Sequence, residues 1–151
     1  MGTLILNHLL ISCQKSFPKF QGPKTIDVFI KENLVGTDLT GTFTIANQEG
    51  ISIVGEATVE IGGNATGDQN VISGNTSFGI RLPGSNQPTI QGKLIGTDVT
   101  GSQRLGNGSA GIALFGDSGS LIGGVEPGGR QPSSTMAWNC SLQREILLLR
   151  N

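Results

Sequence analysis

The residues best placed to do chemistry in this chain are two aspartates that occur twice in the same setting. Asp38 and Asp98 each follow a threonine (Thr37, Thr97) and stand two positions before another (Thr40, Thr100). A column of such oxygens along one flank could hold a hard cation or contact sugar hydroxyls. The competing role is local, because an aspartate ahead of x-Thr-Gly is ordinary turn chemistry, its carboxylate accepting nearby backbone amides. The turn role takes precedence, so Thr37, Asp38, Thr97 and Asp98 stand only as candidate surface-binding residues. Two strand layers apart, the carboxylates would be about 10 Å from each other, too far to share one ion.

The remaining polar residues form no reactive set. Glycoside hydrolysis needs two carboxylates flanking the sugar, and the nearest acidic pairs are Asp27 with Glu32 and Glu56 with Glu60. A lyase would need clustered carboxylates with a basic partner; Asp68, Arg81 and Lys93 could meet only on successive strands. His8 is the one histidine, and it lies outside the repeated part of the chain. Gly62-Gly63-Asn64 and Gly123-Gly124 lack the spacing of a phosphate loop and are expected to be turns. Phe78 and Phe115 could stack on a sugar ring, although stacking within the protein is the simpler expectation. No residue is therefore assigned a catalytic or metal-binding role, and no cofactor is expected.

Whatever these residues do, something must position them, and composition narrows what that is. The chain has 151 residues, 24 of them Gly, with one Trp, no Tyr and 14% charged residues. Glycine at this level without a three-residue period argues against collagen and against a helical bundle. A hydrophobic share of 36% with little net charge argues against simple disorder. The net charge of −1 provides no field to recruit nucleic acid or an anionic membrane. Leu4 to Ile11 is too short to span a bilayer and lacks a basic flank and cleavage site, so no signal peptide is read there. Cys13 and Cys140 sit near opposite ends of the chain and do not fix its redox compartment.

The organising feature is a duplication. Leu34-Val35-Gly36-Thr37-Asp38-Leu39-Thr40-Gly41-Thr42 recurs 60 residues on as Leu94-Ile95-Gly96-Thr97-Asp98-Val99-Thr100-Gly101-Ser102. The same offset carries Ile30 onto Ile90 and Asn47 onto Asn107; from Gly50 onto Gly111 it is 61, which places an indel in a turn near Gly108. A half-period lies inside it: Gly-Ile-x-(Ile/Leu) starts at residues 50, 79 and 111, and Ile61, Ile90 and Ile122 keep the same spacings of 29 and 32. Each unit of about 30 residues thus holds short alternating strands between Gly, Asn and Pro turns. Three or four inward residues cannot bury themselves within one unit, but stacked equivalents form a continuous core in a parallel sheet. Asn75 and Asn107, each four residues before a Gly-Ile strand, are expected to join an internal asparagine ladder.

Gly-Thr-Asp-x-Thr-Gly after Leu-(Val/Ile), Gly106-Asn107-Gly108 before a Gly-Ile strand, and Asn70-Val71-Ile72-Ser73-Gly74-Asn75 resemble right-handed parallel β-helix repeats of the pectin-lyase-like type. The repeats they resemble most are those of large bacterial surface or secreted proteins. The likeness runs from residue 25 to residue 131, with a poorly matched segment at 1–24 and a non-repeat segment at 132–151. Within the latter, Leu142 to Leu149 contains Gln143, Arg144 and Glu145 and favours helix. The expected fold is all-β, a right-handed parallel β-helix of about three to four coils with a helical C-terminal segment. The resemblance implies a structural or binding solenoid, a fragment of an extracellular or cell-surface repeat protein contacting glycans. The alternative it implies is a polysaccharide lyase or glycosidase whose catalytic coils lie largely outside this chain. The expected partners are a polysaccharide or other surface component, with no nucleic acid and no membrane span. Uncapped strand edges also imply end-to-end self-association.

Overall fold

Glycine-punctuated runs of β-branched residues leave the backbone little choice but short strands, and strands are what form. The computed structural model describes residues 2–7, 10–11, 26–55, 57–65, 67–116, 119–123 and 146–149. In chain order the strands are β1 (Gly2–Asn7), β2 (Leu10–Ile11), β3 (Ile26–Lys31), β4 (Leu34–Val35), β5 (Ile51–Ser52), β6 (Ala57–Gly62) and β7 (Asn70–Ile72). They continue as β8 (Phe78–Pro83), β9 (Asn86–Gln91), β10 (Lys93–Ile95), β11 (Ala110–Phe115), β12 (Leu121–Ile122) and β13 (Ile146–Leu149). Among the described residues there is no helix, and so none long and apolar enough to cross a membrane. His8, Cys13, Cys140, Glu56 and most of the segments 1–24 and 132–151 lie outside the described residues.

Three sheets share these strands. The first has the order β1-β3-β6-β9-β12, the second β2-β4-β7-β10 and the third β5-β8-β11-β13. From β3 to β12 the chain visits first, second and third sheet in strict rotation, adding one strand to each before returning. Pairing is parallel everywhere except between β11 and β13.

Register stacks like on like. Ile30, Ile61, Ile90 and Ile122 form one column across the first sheet, and Ile51, Ile80 and Ile112 another across the third. Val35, Ile72 and Ile95 complete the core from the second sheet. Most of these side chains are fully shielded from water, and each fully buried isoleucine contributes roughly 2–3 kcal/mol of transfer free energy. The spacings of 29 and 32 residues are therefore the interval between vertical neighbours. Leu10-Ile11 stands in the same register two layers from Val71-Ile72, since β2 pairs with β4 and β4 with β7.

The 60-residue period has a further cause. On the second sheet, Leu34 pairs with Val71, 37 residues on, and Val71 with Leu94, only 23 further. A long excursion follows β4, a tight turn at Gly74 follows β7, and the long excursion returns after β10. Loops of two lengths alternate, so the chain repeats every two layers.

Buried asparagines hold the corners. Asn47, Asn75 and Asn107 form one column: Asn47 Nδ2 donates to Asn75 Oδ1 (3.2 Å), and Asn75 Nδ2 donates to Asn107 Oδ1 (2.9 Å). Asn33 Nδ2 donates to Asn70 Oδ1 (3.1 Å) at a second corner, and Asn70 Nδ2 donates to the Ile30 carbonyl (2.8 Å).

The expected C-terminal helix is corrected at residues 146–149, which form β13, antiparallel to β11 across Ile112↔Leu149 to Phe115↔Ile146. The edge of β11 offers a row of backbone donors and acceptors that must be satisfied, and pairing with them outweighs the weak helix propensity of a leucine run.

Candidate functional site

The duplicated motif builds the same loop twice. In the first, residues 36–45 leave β4 and return on themselves, with Thr37 bridging Thr44 in antiparallel fashion and the Ile45 amide donating to the Gly36 carbonyl (2.9 Å). In the second, Thr97 bridges Arg104, and the Leu105 amide donates to the Gly96 carbonyl (2.9 Å). Gly36 and Gly96 lie at φ +85° and +79°, a region that side chains strain.

Each aspartate is the hub of its loop. Asp38 Oδ1 accepts the amides of Thr42 and Phe43 (both 3.0 Å), and Oδ2 accepts the Thr40 hydroxyl (2.6 Å). Asp98 repeats the pattern with the amides of Ser102 (3.0 Å) and Gln103 (3.1 Å) and the Thr100 hydroxyl at 2.8 and 2.9 Å. Thr37 and Thr97 donate to the carbonyls of Asp38 and Asp98. All four candidate surface-binding residues thus spend their polar atoms on bracing the loop. Both oxygens of each carboxylate are engaged, which explains why the motif needs Asp, Thr and Gly at these spacings.

These bonds set the acidity of the carboxylates. The Thr40 hydroxyl, then the Phe43 and Thr42 amides, hold the Asp38 carboxyl down at about 2. For Asp98 burial pushes upward, and the Gln103 and Ser102 amides with the Thr100 hydroxyl outweigh it, so the net shift is also downward. A carboxyl depressed in the folded chain stabilises it above the ordinary value of 3.8 and loses that contribution as pH falls towards the folded value. Between about pH 4 and pH 2 the urea-unfolding midpoint of the wild type is expected to fall more steeply than that of Asp38→Asn/Asp98→Asn. Parallel acid profiles for the two proteins would refute this role.

The two loops touch. The Val99 amide donates to the Gly41 carbonyl (3.0 Å), and a Cβ on Gly41 would lie 2.8 Å from Cβ of Val99. From the layer between them, the buried Ser73 hydroxyl accepts the amides of Gly96 (3.0 Å) and Thr97 (3.1 Å) and donates to the Thr97 carbonyl (2.7 Å). The Gly74 amide donates to the Leu105 carbonyl (2.9 Å). Two braced loops joined in this way form one continuous ledge along the flank.

What the ledge presents is apolar. Leu39 is 76% exposed, Phe43 73%, and Ile45 and Val99 44% each. They stand beside the exposed Thr40 and Thr42, whose hydroxyls are 2.6 Å apart. Sequence reasoning passed over these apolar residues because it followed the polar atoms. The available signal was an aliphatic residue at the x of Asp-x-Thr-Gly, where a solvent-facing turn normally carries a polar one.

Other candidates are kept apart. Asp68 lies by Lys31 (3.5 Å), which also pairs with Glu60 (2.9 Å). Arg81 faces Glu49 (3.7 Å) and lies over the Phe115 ring, 5.5 Å from its centre. Phe115 meets Phe78 edge to face at 6.4 Å, so those rings stack within the protein. Lys93 joins none of these three ion pairs. Among the described residues no group of three or more His, Cys, Asp or Glu is gathered to hold a metal ion.

No protein-family model, curated protein or solved structure matches the chain.

Proposed function

We propose that this chain is a stretch of right-handed parallel β-helix that serves as a structural and binding scaffold in an extracellular or cell-surface repeat protein. Rotation of the chain through three parallel sheets supports the solenoid, and the near-universal right hand of parallel crossovers supports the handedness. The contact surface is the ledge of paired loops, and the ligand class is a glycan. The observation that carries this reading is Phe43, a ring 73% exposed on a loop braced by internal hydrogen bonds. Exposed apolar residues on a rigid support mark interaction sites. A sugar ring offers an apolar face for Phe43 and a hydroxyl donor for Thr42 Oγ1, the Thr40 hydroxyl being spent on Asp38 and Thr42, and a solenoid flank accommodates an extended chain better than a pocketed ligand.

The test is binding of the whole chain to a panel of neutral and acidic polysaccharides by affinity electrophoresis and calorimetry. The wild type is expected to bind at least one, and Phe43→Ala to weaken that binding about tenfold, a loss of about 1.4 kcal/mol. Its thermal midpoint should be unchanged, since exposed side chains contribute little to stability. Failure of the wild type to bind any polysaccharide, or full binding by Phe43→Ala, overturns the glycan reading.

A further inference from the structure

One step of the asparagine column joins two residues that are needed for unrelated reasons. Asn107 is there for its amide: Oδ1 accepts the backbone and side-chain amides of Asn75 (3.1 and 2.9 Å), and Nδ2 donates to the Ile72 carbonyl (3.1 Å). Gly108 is there for its missing side chain, since a Cβ would lie 2.1 Å from the Thr76 carbonyl oxygen. The other members of the column, Asn47 and Asn75, are followed by Gln48 and Thr76. Close stacking thus imposes an Asn-Gly step at 107–108, and it is the only Asn-Gly in the sequence.

Asn-Gly is the dipeptide most prone to deamidation, because glycine has no Cβ to shield its nitrogen or to restrict rotation towards the side chain. The Gly108 nitrogen gives up its proton to solvent base and attacks Cγ of Asn107. As the new N–Cγ bond closes a succinimide, the Cγ–Nδ2 bond breaks and Nδ2 leaves as ammonia with a proton from water. Water then opens the ring: at Cγ it leaves an aspartate, at the backbone carbonyl an isoaspartate.

The folded chain opposes the first step. The Gly108 amide donates to the Asn75 carbonyl (2.8 Å), which holds the proton that must leave. Three hydrogen bonds fix the Asn107 side chain, which is 6% exposed, against the rotation that would bring Cγ to that nitrogen. Opening this corner releases all of these restraints together. Either product then fits badly. A carboxylate oxygen would face the Ile72 carbonyl where Nδ2 donated, and an isoaspartate would lengthen the backbone by one carbon just before β11.

We propose that Asn107 is a deamidation site masked by the fold: its amide survives while the column is closed, and opening of this corner lets Gly108 convert it to a carboxylate that keeps the column from re-forming. Unfolding that was reversible becomes irreversible. This inference is independent of what the loop ledge binds.

The test incubates the whole chain in mildly alkaline buffer, with and without urea above its unfolding midpoint, and follows each asparagine by peptide mass spectrometry. Asn107 is expected to deamidate at least about a hundredfold faster in urea, as the rarity of open states in a folded domain requires, and ahead of every other asparagine. Below the midpoint its rate should rise in step with the unfolded fraction. On dilution from urea, modified chains should collect in the fraction that does not regain native far-UV dichroism. Asn107→Asp, which reproduces one product, should raise the unfolded-to-folded ratio at least about tenfold at neutral pH, and failure of this variant to fold is the same result in stronger form. Equal rates with and without urea, or faster loss at another asparagine in urea, overturn the masked site. Modified chains that refold as fully as unmodified ones, or a wild-type midpoint for Asn107→Asp, overturn the block to refolding.

Discussion

Replacing Asn75 with alanine is expected to destabilise the fold by about 2–4 kcal/mol, from the loss of several buried hydrogen bonds at once. Its Oδ1 accepts both the backbone and side-chain amides of Asn47 (3.3 and 3.2 Å), and its Nδ2 donates to Asn107 Oδ1 (2.9 Å). Truncation takes this acceptor from two donors, and this donor from Asn107 Oδ1 and from the longer contacts to the Ser73 and Val35 carbonyls (3.4 and 3.5 Å), where water cannot easily substitute. The surroundings leave no slack: a Cβ on Gly36 would lie 2.4 Å from Asn75 Oδ1, and one on Gly50 2.8 Å from its Nδ2. Asn75→Asp separates bonding from packing. It keeps the shape and the acceptor but sets a carboxylate oxygen against Asn107 Oδ1, and should be at least as damaging as alanine at pH 7. Urea unfolding monitored by far-UV dichroism reads both effects as lower midpoints at constant slope. A near-wild-type midpoint for Asn75→Asp would mean that the column does not depend on which partner donates.

Ile80→Ala is expected to cost about 3–5 kcal/mol, in the upper part of the range for truncating a buried isoleucine. Ile80 is the middle of the column Ile51–Ile80–Ile112, with no exposure of its own and neighbours on both sides that are 0% and 3% exposed. Collapse of the surroundings cannot fill the gap, because the backbone hydrogen bonds of β5, β8 and β11 fix the strand spacing at about 4.8 Å. The cavity term therefore adds to the transfer term. Leu39→Ala is the matched control: at 76% exposure it should change the midpoint by less than about 0.5 kcal/mol. Similar costs for Ile80→Ala and Leu39→Ala would contradict the assigned register.

Much of this architecture was legible in the chain. The spacings of 29 and 32 residues between isoleucines are the vertical neighbours of the first and third sheets, because parallel stacking repeats the environment of a residue at each layer. Asn75 and Asn107 fall in one ladder for the same reason. The indel was harder to place. Asn75 to Ile80 and Asn107 to Ile112 both take five steps, whereas Asn47 to Ile51 takes four, so the odd member is the turn at Gln48–Glu49 and not the one at Gly108. A pairwise offset cannot say which copy changed; the intervening layer can.

Local chemistry determined where the turns fall and why Asp-x-Thr-Gly recurs, since those contacts lie within a few residues and depend only on side-chain type and backbone conformation. Tertiary structure decided what lies far apart in sequence. Gly41 touches Val99, Lys93 falls in register with Asn70, and residues 146–149 pair with β11 as a strand. The polar atoms of Asp38 and Asp98 turn inward on their own loops and leave Leu39 and Phe43 facing solvent. Spacing determines which residues recur, because each layer must present the same groups to the next. Which of their atoms remain free is decided only when the layers meet, because a hydrogen bond spent inside a loop is no longer available at its surface.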